Sequence, residues 1–278
     1  MKRPSAIRVW HGLGLVLGAQ LLLLGCGGGG KATASSGDSP TRTPSNFDFG
    51  QNDPLRVTAF GDSITLGVLG DRADGTILTT SNNYPNNLQL ALRGLDPGWR
   101  VVNRGQGGER TFEGRGRLPG ALGRDRPGFV LIMEGTNDAD EGDDPSVIVA
   151  NLEAMVDQAK ANRSIPILGT IPPNFRNAPG AQSIIGVANG MIRTSARARG
   201  VVLAEIFNGM NDRSLFGSPE RGIEDPLHPN ERGYVRMAGI WFAAMQQAIP
   251  AAPSTAEPPT APAPGAGSSE MGQRARRR

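Results

Sequence analysis

The sequence predicts an α/β fold built on a doubly wound, mostly parallel sheet. Five short runs rich in Val, Ile and Leu show little polar alternation, as strands buried on both faces do. Segments carrying a helical apolar stripe lie between them, and such alternation implies parallel strands joined by crossover helices. A third observation agrees. The residues with chemical potential follow the ends of these runs, where open α/β sheets bind ligands.

In order, the expected strands are Leu55–Phe60, Arg100–Asn103, Phe129–Glu134, Ile165–Ile171 and Val201–Ile206. A helix over Tyr84–Leu95 is marked by Leu88, Leu92 and Leu95 on one face, and one over Ser146–Asn162 by Ile148, Leu152, Met155, Val156 and Ala159. Gln182–Arg199 is a weaker helical pattern, softened by Gly186 and Gly190, whereas Glu231–Ile249 is strong, with Tyr234, Met237, Trp241 and Met245. The stretches 68–83, 110–127, 172–181 and 208–224 read as loops that shape a pocket.

Both ends of the chain differ in character from this core. Residues 1–25 combine Lys2, Arg3 and Arg8 with an apolar stretch from Gly12 to Leu24, the length of a secretory h-region and short for a bilayer span. Leu23-Leu24-Gly25-Cys26 resembles the lipobox of a bacterial lipoprotein, which implies that Cys26 is lipidated and becomes the mature N-terminus. The expected location is therefore the bacterial cell envelope, with the membrane reached through the lipid anchor. Residues 26–50 read as that cysteine and a flexible tether, 51–250 as one domain, and 251–278 as a Pro/Ala-rich tail with a basic end that cannot offset its ordering entropy.

Loss of the leader removes three of the 29 basic residues and no acid, leaving 26 of each sign. The mature charge is then balanced, which gives no reason to expect nucleic acid as a partner. Cys26 is the chain's single cysteine, so no internal disulfide forms. His11 leaves with the leader, and His228 becomes the only imidazole.

The first candidate site is Gly61-Asp62-Ser63, after the first strand. Taken alone it reads as a helix N-cap; its backbone amides would also favour developing negative charge. Asn103-Arg104-Gly105-Gln106-Gly107-Gly108 follows the second strand, and its glycines let an amide approach a substrate oxygen. Gly135-Thr136-Asn137-Asp138 follows the third, where an Asn side chain serves either a turn or an oxyanion. Asp225-Pro226-Leu227-His228-Pro229 precedes the last helix, with Asp225 spaced to fold back on the ring of His228 and fix its tautomer.

These four blocks, in this order and at these strand ends, resemble those of the SGNH hydrolases, also called GDSL esterases and lipases. The resemblance covers roughly Leu55 to Ile249. It implies a three-layer, flavodoxin-like sandwich around a five-stranded sheet. It further implies a catalytic triad of Ser63, His228 and Asp225, with oxyanion donors from the amides of Ser63 and Gly108 and the Asn137 side chain. Glu109 stands where the family often has Asp. Asp62 and Asp138 are expected to brace loops. No cofactor and no metal is expected.

The activity implied is hydrolysis of carboxylic esters, and a monomer is expected; the low aromatic content, 5%, and the polar loops suit short acyl groups on a small-molecule or glycan alcohol. Arg104, Arg110 and Asn174 are candidate contacts to such an alcohol, and Ile77, Leu78 and Phe112 candidate walls of an acyl slot. An envelope acyltransferase or a lysophospholipase would use the same triad. A tethered binding protein with an inactive site is disfavoured, because every catalytic position holds the residue that the chemistry requires. Imidazoles ordinarily titrate near ~6.5, so a rising activity limb set by His228 alone is expected.

Overall fold

The computed structural model describes residues 47–176 and 179–249. The chain begins with β1 (Asp53–Gly61), α1 (Ser63–Leu66), β2 (Val68–Asp71), β3 (Ile77–Thr79) and α2 (Tyr84–Arg93). It continues through β4 (Arg100–Gly105), α3 (Thr111–Asp125), β5 (Pro127–Met133), α4 (Thr136–Glu141) and α5 (Pro145–Ala161). After these come β6 (Ile165–Gly169), α6 (Pro179–Ala198), β7 (Val202–Ala204), α7 (Ile206–Gly209) and α8 (Glu231–Ala248). The expected leader, the lipidated Cys26, most of the tether and the C-terminal tail lie outside the described residues.

The main sheet has five strands in the order β4-β1-β5-β6-β7, and every pair is parallel. Numbered by chain position that order is the flavodoxin-like one, whose direction of winding reverses beside the first strand and opens a crevice there. Helices cover both faces. On one, Val57, Ala59, Phe129, Leu131 and Met133 pack with Tyr84, Leu88, Tyr234 and Trp241 of α2 and α8. On the other, Phe60, Val130 and Ile132 pack with Leu118 of α3, Leu152 of α5 and Ile185 of α6. Neighbouring residues of one strand thus feed opposite cores, which is why these strands lack polar alternation. Each fully buried large side chain contributes on the order of 1.5–3 kcal/mol relative to exposure.

Helix starts follow their caps. Asn83, Asp144 and Asn230 each accept a hydrogen bond from a first-turn amide of α2, α5 and α8, with Pro85 and Pro145 in the first turn of the first two. Phe49 is buried and its ring lies 5.9 Å from that of Phe129.

The loop expectations need correction. Residues 110–127 are mostly the helix α3, although it contains Gly114, Gly116, Gly120, Gly123 and an internal Pro119. Such residues cost about 1 kcal/mol per Gly and ~3 per Pro by propensity. Burial of Leu118, Ala121 and Leu122 against β1 and β5 outweighs that cost. Within 68–83, β2 and β3 form a two-stranded antiparallel hairpin. The segment 172–181 is shortened by α6, which starts at Pro179. Residues 208–224 hold two short 3-10 turns, Arg213–Leu215 and Pro219–Arg221.

Candidate active site

The C-terminal ends of β4, β1 and β5 lie side by side, with Gly61 paired to both Gly105 and Met133. Ser63, Gly108 and Asn137 follow these three ends and are therefore brought to one edge of the sheet. Asp62 ends the strand by capping: its side chain accepts from the Ile64 amide at 2.9 Å. That makes Ser63 the first residue of α1. Its own amide, like that of Gly108, meets no protein acceptor among the described residues. Gly108 has φ +74°, a conformation that favours glycine.

Asp225 and His228 arrive from the far end of the chain, on the loop before α8. Gly217 N donates to His228 O at 3.1 Å, and Asn230 N to Leu215 O at 2.9 Å, stitching this loop to the 213–218 segment. On the other side Phe175 N donates to Pro226 O at 3.1 Å. The β2 strand closes in from a third direction, where Gly70 permits a close approach: a Cβ there would lie 2.6 Å from that of Asp225.

The three side chains form one hydrogen-bonded series. His228 Nδ1 lies 2.6 Å from Asp225 Oδ2, and His228 Nε2 lies 2.9 Å from Ser63 Oγ. Burial acts to raise the pKa of Asp225, but the hydrogen bond and charge of His228, the Leu227 amide and Arg176 together hold it below the usual carboxylate value. A carboxylate only accepts, so Nδ1 carries the ring proton and Nε2 is left to accept from the Ser63 hydroxyl. Ser63 and His228 are buried apart from their working edges, at 8% and 7% exposure.

Asn137 stands at the same edge in α4. Its Nδ2 donates to Glu109 O at 2.8 Å, which leaves its second N–H for another acceptor. Asp138 accepts from the backbone amide of Thr111 at 3.0 Å and from its hydroxyl at 2.5 Å, tying α4 to the start of α3. The bracing role expected of Asp62 and Asp138 is thus what their contacts describe.

Other expectations change. Arg104 is paired with Asp125, Arg110 with Asp143, and Asn174 donates to Asp140, so all three are held by carboxylates. Ile77 and Phe112 are more than half exposed, while Leu78 packs against the core. A second titrating group also stands beside the nucleophile: burial, with smaller opposing contributions from the Ile64 amide and the charge of His228, pushes Asp62 up to about 6. Sequence reasoning also missed Arg176, whose guanidinium bonds Asp140 at 2.9 Å and lies 3.9 Å from Asp225. Nothing local in the sequence links these positions. Among the described residues no group of three or more His, Cys, Asp or Glu side chains is arranged to hold a metal ion.

The chain also resembles known proteins in sequence and fold. Residues 59–236 match the model of the GDSL-like Lipase/Acylhydrolase family. The chain is 34% identical over 114 residues to Esterase TesA of Pseudomonas aeruginosa, covering 40% of this chain and 57% of that protein. It is 34% identical over 113 residues to the Arylesterase of Vibrio mimicus, covering 40% and 56%. The chain therefore spans little more than half the length of these relatives. Among solved structures, Est24, a carbohydrate acetylesterase from Sinorhizobium meliloti, superposes with a TM-score of 0.58 at 17% identity, over 69% of this chain and 98% of that one.

Proposed function

Because the chain belongs to the GDSL-like lipase/acylhydrolase family, we propose that it is a serine ester hydrolase working through Ser63, His228 and Asp225. The observation that carries this reading is the unbroken series from Asp225 through His228 to Ser63, at 2.6 and 2.9 Å. Ser63 Oγ attacks the ester carbonyl while His228 Nε2 takes its proton. Asp225 keeps the ring in the accepting tautomer and stabilises the imidazolium. Charge on the carbonyl oxygen is met by the amides of Ser63 and Gly108 and the free N–H of Asn137, and donors fixed in advance are usually the largest catalytic contribution. The imidazolium then protonates the leaving alcohol, and water repeats the sequence on the acyl-enzyme.

The substrate class we propose is a short acyl group on a hydroxyl-rich alcohol. Support comes from the polar neighbours of the site, notably the Arg176–Asp140 and Arg110–Asp143 pairs, and from the carbohydrate acetylesterase that shares the fold. Long acyl chains gain ~0.8 kcal/mol per methylene only where apolar walls receive them. We also propose that Cys26 carries the lipid that holds the enzyme at the envelope.

Ser63→Ala and His228→Ala should each lower turnover by several orders of magnitude, and the double variant little further, because the pair acts as a unit. Asn137→Ala should cost about 10²–10³ in kcat. Labelling by a fluorophosphonate probe that disappears in Ser63→Ala checks the nucleophile, and full activity of that variant would end the assignment. Across p-nitrophenyl acetate, butyrate, octanoate and palmitate, kcat/KM should fall with length; a steady rise would instead favour a lipase or lysophospholipase.

A further inference from the structure

The mechanism leaves unused a group of buried charges that includes Glu109, the neighbour of Gly108 and the acceptor of Asn137. Glu134, the residue after β5, is 1% exposed, and neither of its carboxyl oxygens has a donor within reach. The group it meets is another carboxyl, that of Glu109. Helix α3 passes over it at Gly114, where any side chain would collide with the Glu134 carboxyl. The Glu109 side chain is itself fully buried and accepts from both Nε, at 2.5 Å, and Nη2 of Arg117. Arg117 stacks 4.0 Å over the Phe60 ring and reaches toward Gly61 O at 3.4 Å. Meanwhile the main chain of Glu109 does separate work: its carbonyl accepts from Asn137, and Gly108 is its immediate neighbour.

Two ionised carboxylates in contact in a low-dielectric interior repel strongly, and one guanidinium does not neutralise Glu109, Glu134 and nearby Asp62 together. A proton held between the two acids converts the repulsion into a strong charge-assisted hydrogen bond. We infer that Glu109 and Glu134 form an acid–carboxylate pair sharing one proton, braced by Arg117, and that this pair positions the Gly108 amide and the Asn137 side chain. What those two donors do rests on the esterase reading above; the pair itself stands apart from it, on the burial of both carboxyls, the lack of any donor to Glu134 and their mutual proximity.

Burial first, then the contact and charge of Glu109, hold the Glu134 proton well above the ordinary carboxylate range, with Arg117 opposing. The charged groups facing the pair are Glu109 from the β4–α3 turn, Arg117 from α3 and Asp62 from the end of β1, with Asp138 and His228 acting in turn on Asp62. When the shared proton leaves at alkaline pH, repulsion moves Glu109 away from β5. Gly108 and the acceptor of Asn137 move with it, and kcat falls while KM holds. Glu109 and Glu134 are positioning residues and touch no substrate.

The experiment compares full-length wild type with Glu134→Gln, a permanently neutral donor, and Glu134→Leu, which offers no hydrogen. At neutral pH the wild type should show an infrared carboxylic-acid C=O stretch that Glu134→Gln lacks. Glu134 binds its proton more tightly folded than unfolded, so its stabilisation is present in acid and lost as pH rises. The melting temperature of Glu134→Gln should accordingly gain on wild type from mildly acid to mildly alkaline pH. Glu134→Leu should lower kcat by ~10-fold or more at constant KM and shift the Asn137 side-chain NMR signals, and Glu134→Gln should recover both and lack the alkaline limb. Absence of a protonated carboxyl, a pH-independent melting difference, or unmoved Asn137 signals in Glu134→Leu overturns the inference. Failure of wild-type Ser63 to react with fluorophosphonate would sink the esterase reading instead, while the infrared, melting and NMR results still decide the pair.

Discussion

Asp62 shows how much one buried side chain can set. It caps α1 through the Ile64 amide, precedes Ser63, and is buried deeply enough to titrate at about 6 against an ordinary 3.8. A carboxyl whose pKa is raised by folding stabilises the protein while protonated. That contribution is complete below its unfolded value and lost as pH climbs through the folded one. Wild type should therefore lose up to ~3 kcal/mol from this group between about pH 4 and 6, and Asp62→Asn, which keeps an acceptor for Ile64, should not. Urea unfolding across that range measures the difference; parallel curves would contradict it. Ser63, Asn137 and the Asp225–His228 step are legible in the sequence because each sits in a short block at a strand end. The Glu134–Glu109–Arg117 group is not, because its members come from the position just after β5, the β4–α3 turn and α3, which only the folded sheet brings together.

Among the elements, the five strands of the main sheet and the helices α2, α5, α6 and α8 are readable because burial imposes a period on their residues. The hairpin of β2 and β3 is too short to show one, and its strands slip register between Val68 and Gly70. Helix α3 hides for the opposite reason. Its local propensity points to a loop, and only contact with the sheet makes it helical. Leu118, fully buried in that contact, is its test. Leu118→Ala should destabilise the domain by ~2–5 kcal/mol, the range for truncating a buried leucine, measured by denaturant unfolding. A change near zero would mean that α3 contributes little to the core.

For the molecule as a whole, groups raised by burial (Asp62, Asp138 and Glu134) lie inside, whereas of the lowered carboxyls Asp225 is largely buried beside His228 and Asp74, Asp144 and Asp212 lie at the surface, where solvent screens their effect. Stability should thus peak on the acid side, about pH 4–5, and decline toward pH 7, because the buried acids bind more protons folded than unfolded. A maximum at or above neutrality would argue against that burial. At the same scale, Cys26→Ser should release the protein from the membrane fraction, since stable anchoring requires more than one acyl chain's worth of buried methylenes. Retention without lipid would end the anchoring proposal. One distance along the chain remains to be read in time rather than in space. Ser63 and His228 are 165 residues apart yet share a hydrogen bond. A chain made from its N-terminus exposes the serine early and its base nearly last, after every strand of the sheet. On the proposed mechanism the nascent protein is therefore chemically silent through almost all of its synthesis, and acquires its reactivity only when the final helix has somewhere to dock.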